Sequence, residues 1–178
     1  MNAHATPDLL ARCARVRLAV FDVDGVMTDG RLILGGDGEE LKAFHVRDGL
    51  GLKGLMRNGL TVAVITARRS GVVARRMAEL GIERYVQGAE NKAAALDALL
   101  TELGLDGDAL AYMGDDLVDW PAMRRAGVKL CPADADPVIR ARADYVTEAR
   151  GGRGAVRETC ELLLAGHGRL EAWRDTFA

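Results

Sequence analysis

Short apolar runs alternate with helix-like segments along most of this sequence, and this alternation limits the fold more than any other feature. The apolar runs predict buried strands at residues 18–21, 61–66, 85–87, 109–113 and 128–131, with residues 145–146 as a short candidate edge strand. Helices are predicted at residues 49–58, 71–80, 92–103, 118–126 and 137–143, several of them ending at a glycine. Such alternation is typical of a parallel sheet with helices on both faces, so the sequence predicts an α/β fold.

Length, charge and cysteine content narrow the class of protein. The chain has 178 residues, 49 % of them hydrophobic, so we expect a single domain over residues 1–178. The formal net charge of −2, with both signs interspersed, gives no attraction for nucleic acid or an anionic membrane, and neither partner is expected. Cys13, Cys131 and Cys160 are widely separated and form no metal-binding or disulfide pattern, which favours reduced thiols in the cytoplasm. No segment resembles a secretion signal or a membrane span.

Two carboxylates follow the first predicted strand directly, at Asp22 and Asp24. Strand side chains alternate with period two, so both point to the same side, and Gly25 lets the backbone turn close to a ligand. One carboxylate can attack phosphorus while the other moves protons, an arrangement that suits phosphoryl transfer through an aspartyl-phosphate with a divalent cation. The alternatives are a polar turn or a calcium loop, but Val26 and Ile33 stand where an EF-hand needs ligands.

Further polar residues follow other predicted strands. Asp115, Asp116 and Asp119 would repel one another unless a cation such as Mg²⁺ or a lysine neutralises them, and Asp115 is the better metal ligand because Asp116 and Asp119 are also placed to cap a helix. Thr66 could hold phosphate oxygens and Lys92 could neutralise a transferring phosphoryl group. Read separately, Thr66 is more often a helix cap and Lys92 a solvated residue. Carboxyl ends of parallel strands share an edge, so these loops should form one site.

Residues 31–44 interrupt the alternation. Two short runs around a turn rich in glycine and aspartate predict a β-hairpin that projects after the first strand. The hairpin could be a flap over the site or a surface feature with no role.

The order of these elements carries a family resemblance. Four motifs in chain order resemble the signature of the haloacid dehalogenase superfamily of phosphatases. They are a strand ending in Asp-x-Asp, a strand ending in Thr, a Lys, and a strand ending in Gly-Asp-Asp. Residues 22–30, 42–53, 114–119 and 151–158 further resemble the 3-deoxy-D-manno-octulosonate 8-phosphate phosphatase family, over roughly residues 17–158. The resemblance implies a Rossmann-like core without a large cap domain, a Mg²⁺ cofactor, a homotetramer with sites shared between subunits, and a cytoplasmic role in lipopolysaccharide precursor biosynthesis.

The resemblance also implies roles for individual residues. Asp22 would be the nucleophile and a Mg²⁺ ligand, Asp24 the general acid/base and a ligand through its backbone carbonyl, and Asp115 a further ligand. Thr66 and Lys92 would hold the phosphate during catalysis. The residues expected to contact the sugar acid or its phosphate are Asp24, His45, Val46, Arg47, Asp48, Gly49, Lys53, Arg68, Arg76 and Lys92. Without the family, Arg76 reads equally as part of a solvated basic face. Ala67 departs from the glycine expected in the second motif.

The sequence therefore predicts a magnesium-dependent phosphatase for a small-molecule sugar acid phosphate. Two alternatives remain: the same reaction on a nine-carbon sugar acid phosphate, and a non-catalytic regulatory or phospho-acceptor protein, against which Asp24 and Lys92 argue. We also hypothesise that the hairpin mediates assembly and that a neighbouring subunit's residues 45–53 complete the sugar site. The glycine-rich start of a C-terminal tail, residues 151–178, could approach the site with Arg153 or Arg157, or could be a linker before a helix.

Overall fold

The computed structural model describes residues 5–36 and 38–178, so Asp37, in the turn of the predicted hairpin, lies outside the described residues. In chain order the elements are α1 (Pro7–Cys13), β1 (Leu18–Phe21), β2 (Ile33–Leu34), β3 (Glu40–Leu41), α2 (Val46–Arg57), β4 (Thr61–Thr66), α3 (Gly71–Leu80), β5 (Arg84–Gln87), α4 (Lys92–Leu103), β6 (Leu110–Met113), α5 (Trp120–Met123), β7 (Val128–Cys131), α6 (Pro137–Arg140), β8 (Tyr145–Val146), α7 (Ala155–Gly166) and α8 (Leu170–Asp175).

Six parallel strands form the central sheet in the order β5–β4–β1–β6–β7–β8, and β2 and β3 form a separate antiparallel hairpin. From β1 the chain moves outward through β4 and β5, then crosses back to β6 on the other side of β1. Connections that leave neighbouring strands in opposite directions open a crevice at their carboxyl ends. Phe21 is aligned with Val64 of β4 and Met113 of β6, so the loops after these three strands emerge at one edge.

Both faces of the sheet are buried, which explains the nearly continuous apolar strands. Ala19 and Phe21 of β1 face one apolar cluster, which also holds buried residues of α1, α2, α3, α7 and α8. Leu18 and Val20 face the other cluster, formed with α4, α5 and α6. This architecture confirms the predicted α/β fold. The described residues form a Rossmann-like sheet with helices on both faces and a hairpin after the first strand, without a large cap domain.

Several boundaries differ from the sequence prediction for local physical reasons. α3 and α4 have the predicted bounds, and each begins after a side chain that caps it, Ser70 and Asn91 respectively. α2 begins at Val46 rather than at residue 49. The helix predicted at 118–126 shrinks to α5, because the Asp119 carboxylate accepts backbone N–H groups of the preceding turn and not of the helix.

The segment predicted as a C-terminal tail is part of the core. α7 buries Val156, Cys160 and Leu163 completely, and it packs along α2. A Cβ atom at Gly51 would lie 3.1 Å from the Cβ of Cys160, so a glycine in α2 permits this close packing. α1, α7 and α8 were not predicted as separate elements, although Thr6 followed by proline is a recognisable helix start. Among the described residues no helix is long and apolar enough to cross a bilayer, and all three cysteines are buried and free.

Candidate active site

A cluster of carboxylates lies at the carboxyl edge of the sheet, where β1 and β6 end. The backbone N–H of Asp22 donates to the carbonyl of Met113 at 3.0 Å, which extends the pairing of the two strands into the loops. Carboxylate oxygens of Asp22, Asp115 and Asp119 lie within 4.8 Å of one another. The two sequence motifs predicted to share a site therefore meet in space.

Asp119 is the organising anion of this cluster, and it is completely buried. Its Oδ1 accepts from the Lys92 ammonium at 2.7 Å and from the Tyr112 hydroxyl at 3.1 Å. Its Oδ2 accepts from the backbone N–H groups of Asp115 at 3.1 Å and Asp116 at 3.3 Å. With both oxygens engaged by donors, Asp119 is suited to orienting its neighbours rather than to binding a metal.

Lys92 links Asp119 to Asp22. Its Nζ lies 2.9 Å from Oδ2 of Asp22, and the lysine is 4 % exposed, so the reading of Lys92 as a solvated first-turn residue is wrong. Neighbouring carboxylates raise the pKa of Lys92 although burial opposes the charge. The ammonium group has three N–H donors, of which Asp22 and Asp119 use two, so one remains for a further anion.

The cluster carries more negative charge than the protein compensates. Three carboxylates face one ammonium group, and Oδ1 of Asp22 and Oδ1 of Asp115 are buried without a hydrogen-bond partner among the described residues. Burial, together with the charge of Asp119, raises the pKa of Asp22 to about 7 and that of Asp115 to about 8. Two unpaired carboxylate oxygens on a cluster of net charge −2 fit a hard divalent cation.

Glycines allow the loops to approach this closely. Gly25 has a φ of +92°, and a Cβ atom there would lie 2.0 Å from Oδ2 of Asp115. A Cβ atom at Gly151 would lie 1.8 Å from the carbonyl oxygen of Gly25, and the N–H of Gly152 donates to the carbonyl of Val26 at 2.9 Å. The glycine-rich segment therefore approaches the loop after β1 of its own chain, as the absence of side chains predicts.

The side chain of Asp24 lies in a second group of charges. Its Oδ1 forms an ion pair with Lys42, and its Oδ2 lies 4.0 Å from the guanidinium of Arg68. Glu40 contacts both cations, at 3.4 Å from Lys42 and 3.7 Å from Arg68. Arg68 is thus placed beside Asp24, as a phosphate- or carboxylate-binding residue would be, while Thr66 is buried at the end of β4.

The other predicted substrate residues lie around the start of α2 and in α3. Val46 and Arg47 are exposed, Lys53 is half-buried, and Nδ1 of His45 is buried without a partner. Among the described residues, no hydrogen bond or ion pair joins the side chains at positions 45–49 or 53 to the Asp22 cluster.

Asp48 and Arg76 have contacts within the chain. Asp48 accepts from the backbone N–H of Arg157 at 2.9 Å, and burial raises its pKa. Arg76 lies 5.6 Å from the ring centre of Phe44 and over Gly49, where a Cβ atom would be 2.5 Å from its Nη2. Arg157 pairs with Glu161 at 2.6 Å, and Arg153, which is more exposed, lies 3.8 Å from Asp29.

Sequence reasoning missed three residues of these groups. Tyr112 lies in β6 on the same face as Gly114 and was read only as part of a strand. Glu40 and Lys42 were read as part of the hairpin, although their spacing of two in a strand places both side chains on one face.

Comparisons with known proteins agree with this geometry. A family model for haloacid dehalogenase-like hydrolases matches residues 86–157. The 3-deoxy-D-manno-octulosonate 8-phosphate phosphatase KdsC of Escherichia coli K12 is 48% identical over 164 residues, covering 92% of this chain and 87% of the relative. The corresponding crystal structure from Yersinia pestis is 46% identical with a TM-score of 0.91, covering 93% of this chain and 89% of that one.

A third relative is described with its ligands. The structure of 3-deoxy-D-manno-octulosonate 8-phosphate phosphatase from Moraxella catarrhalis, in complex with magnesium ion, phosphate ion and KDO, is 41% identical with a TM-score of 0.94. It covers 97% of this chain and 100% of that chain. The present chain belongs to the 3-deoxy-D-manno-octulosonate 8-phosphate phosphatase family of haloacid dehalogenase-like hydrolases. The predicted family is confirmed.

Proposed function

We propose that this protein hydrolyses 3-deoxy-D-manno-octulosonate 8-phosphate to the free sugar acid and phosphate in lipopolysaccharide precursor biosynthesis. The observation that carries the proposal is the pairing of Asp22 and Asp115 across one buried cluster, each with an unpartnered oxygen. Relatives of 48 % identity with this activity support the substrate. Residues 1–178 would act as a single catalytic domain.

Asp22 is the nucleophile of the first step. Lys92 holds the carboxylate in place at Oδ2. One carboxylate oxygen of Asp22 attacks phosphorus, and the other would be the metal ligand. A P–O bond to Asp22 forms as the ester bond to the sugar oxygen breaks, and Asp24 gives its proton to that oxygen, so the sugar leaves as an alcohol. Thr66 and the third N–H donor of Lys92 hold phosphoryl oxygens.

Asp24 then acts as the base. As a carboxylate it takes a proton from a water molecule whose oxygen attacks the phosphorus of phospho-Asp22. The P–O bond to Asp22 breaks, phosphate leaves, and Asp24 is protonated again, so protons and bonds balance over the cycle.

Mg²⁺ is the cation that we assign to the cluster. Asp22 and Asp115 would hold it through their side chains and Asp24 through its backbone carbonyl, and when bound it supplies positive charge to the phosphoryl oxygens. The Moraxella catarrhalis relative in complex with magnesium supports this choice.

The sugar acid would be bound by the residues around α2 and α3. Arg68 is beside Asp24 and can pair with an anion in two-point fashion. His45, Val46, Arg47, Asp48, Gly49, Lys53 and Arg76 complete the proposed set. In one chain the contacts of Asp48 and Gly49 are internal, so the exposed side chains of Val46 and Arg47 are the part best placed to reach a neighbouring subunit.

We propose a cytoplasmic homotetramer in which the hairpin mediates assembly. Leu32, Ile33, Leu34 and Leu41 expose apolar side chains on the hairpin, and a patch of this kind is typical of a protein–protein contact. Sedimentation of the wild-type protein and of Ile33→Ser tests this assignment. A wild-type protein that sediments as a fully active monomer would overturn both the assembly and the shared site.

The activity is tested by phosphate release from eight- and nine-carbon 2-keto-3-deoxy sugar acid phosphates, with Mg²⁺ or with a chelator. The eight-carbon substrate should be preferred and all turnover should require the metal. Asp97→Asn, which removes an exposed carboxylate of α4, is the control for Asp22→Asn. Preference for the nine-carbon acid would change the substrate, and phosphorylation of Asp22 without phosphate release would instead indicate a phospho-acceptor.

A further inference from the structure

The described residues form several ion pairs outside the Asp22 cluster. Of the cations in these pairs, Lys42 has the most deeply buried side chain. Its side chain is 1 % exposed, and its ammonium group lies between the carboxylates of Asp24 and Glu40. A lysine is rarely buried to this extent unless it is paired. Lys42 follows β3, so it comes to the site from the hairpin and not from the sheet that carries Asp22 and Asp115.

The period of the strand explains how the hairpin delivers this charge. Glu40 and Lys42 are two residues apart and turn toward Asp24, whereas Leu41 between them is exposed on the opposite face. Leu41 is the cross-strand partner of Ile33, which is also exposed. The face of the hairpin toward the site therefore carries Glu40 and Lys42, together with Leu34, the cross-strand partner of Glu40, and the opposite face carries the apolar Ile33 and Leu41.

The two cations beside Asp24 differ in how firmly they are held. Arg68 is 46 % exposed and lies 4.0 Å from Oδ2 of Asp24, so it is free to turn to a substrate anion. Lys42 is enclosed and pairs with the other oxygen. When Arg68 binds substrate, Lys42 is the partner that keeps the Asp24 carboxylate in one orientation.

We propose that Lys42 is the positioning residue for the acid/base carboxylate of Asp24, and that it links the hairpin to the chemistry. This inference rests on the proposed function, in which Asp24 protonates the leaving oxygen and later activates water. A displacement of about 1 Å of a reacting group can cost about 100-fold in rate. Loss of Lys42 should therefore act on turnover more than on substrate binding.

The test compares Lys42→Met, which removes the charge and keeps the length, with Lys42→Arg, which keeps the charge. Arg31→Met is the matched control, because Arg31 is an exposed cation of the same segment that contacts only Asp29 among the ion pairs described. Lys42→Met should lower kcat about 10- to 100-fold with KM changed by less than about threefold. Lys42→Arg should recover most of the loss, and Arg31→Met should retain wild-type kinetics.

A double-mutant cycle separates positioning from general structural damage. If Lys42 acts through Asp24, adding Lys42→Met to Asp24→Asn should change the remaining rate by less than about twofold. With an aryl phosphate ester, whose leaving group departs without a proton, Lys42→Met should also accumulate phospho-Asp22, since only breakdown then needs Asp24. Should Lys42→Met not fold, Lys42→Gln enters the same cycle.

Three results would each overturn the assignment. The substitutions of Lys42 and Asp24 could lower the rate independently, Lys42→Met could change only KM, or Arg31→Met could lower the rate as much as Lys42→Met does. Sedimentation is measured for every variant, because a loss of turnover that follows dissociation would make Lys42 an assembly residue only. The aryl ester also separates the two proposals. If the wild-type protein turns over this ester but no sugar acid phosphate, the substrate assignment fails while the role of Lys42 is still measured.

Discussion

Binding of Mg²⁺ should stabilise this protein by an amount that increases with pH. The pKa values of Asp22 and Asp115 are raised to about 7 and about 8, first by burial and then by the charge of Asp119. The metal-free folded state therefore holds these protons more tightly than the unfolded chain does. This pair contributes stability at low pH that is lost as the pH rises through about 7 and 8. Mg²⁺ binds the ionised carboxylates, so the stabilisation that Mg²⁺ provides increases as the pH rises.

The size of the effect follows from the number of protons displaced. Below both pKa values, two protons must leave when the metal binds, which lowers the apparent affinity by up to about 100-fold per pH unit. At about 100 times the dissociation constant, Mg²⁺ adds about 2.7 kcal/mol to the free energy of unfolding. For a chain of this length that is a rise in Tm of about 5–11 °C. We expect this rise near pH 8.5 and almost none near pH 6.

Thermal unfolding with Mg²⁺ or a chelator across this pH range measures the effect. Asp115→Asn should lose most of the Mg²⁺-dependent rise in Tm, whereas Asp97→Asn, a carboxylate exposed on α4, should keep it. A rise in Tm that is independent of pH, or one that survives in Asp115→Asn, would refute the assignment of these carboxylates as ligands.

Three further substitutions test separate parts of the structure. Asp22→Asn should abolish phosphate release while circular dichroism and metal-free Tm near pH 8 show no loss of stability, because burial and the charge of Asp119 disfavour the ionised carboxylate and raise the pKa of Asp22. Gly151→Ala should cost about 1–3 kcal/mol in urea unfolding, since its Cβ would lie 1.8 Å from the carbonyl of Gly25, whereas Gly71→Ala meets no atom within 4 Å and should not destabilise. Burial opposes ionisation of Asp144, but hydrogen bonds from neighbouring cations outweigh it and lower its pKa, so Asp144→Asn should cost about 1–3 kcal/mol near neutral pH. That difference should disappear as the pH falls through the lowered pKa of Asp144, and a constant difference would contradict the ion-pair explanation.

Much of the site could be predicted because it depends on strand ends. Asp22 and Asp115 come after parallel strands and Thr66 is the last residue of one. Because parallel strands end at one edge, the placement of these residues at that edge needs no knowledge of side-chain packing. The burial of Lys92 could not be predicted from its position at the start of α4, where a lysine is usually solvated. It is fixed by Asp22 and Asp119, which come from other loops.

The C-terminal region shows a different limit. Four residues rich in glycine, followed by a helix, read locally as a linker, but the helix is the main partner of α2. Its burial depends on Gly51, about a hundred residues earlier, where an added Cβ atom would meet Cys160. Gly54 has the same role for α8, because a Cβ atom there would meet Trp173. Packing between distant helices is not encoded in either local pattern, so the burial of α7 was not predicted, whereas the close approach of the glycine-rich segment was.

The structure of the hairpin depends both on its local strand pattern and on contacts with distant parts of the protein. An isolated two-stranded hairpin is marginally stable in water, so β2 and β3 need a contact on at least one face. The face toward the site supplies ion pairs through Glu40 and Lys42, and the other face leaves Ile33 and Leu41 for a second surface. A one-residue slip of this register would exchange the two faces, removing the charge from Asp24 and burying it at the apolar contact. Assembly through the apolar face therefore also fixes the register that places Lys42 beside Asp24.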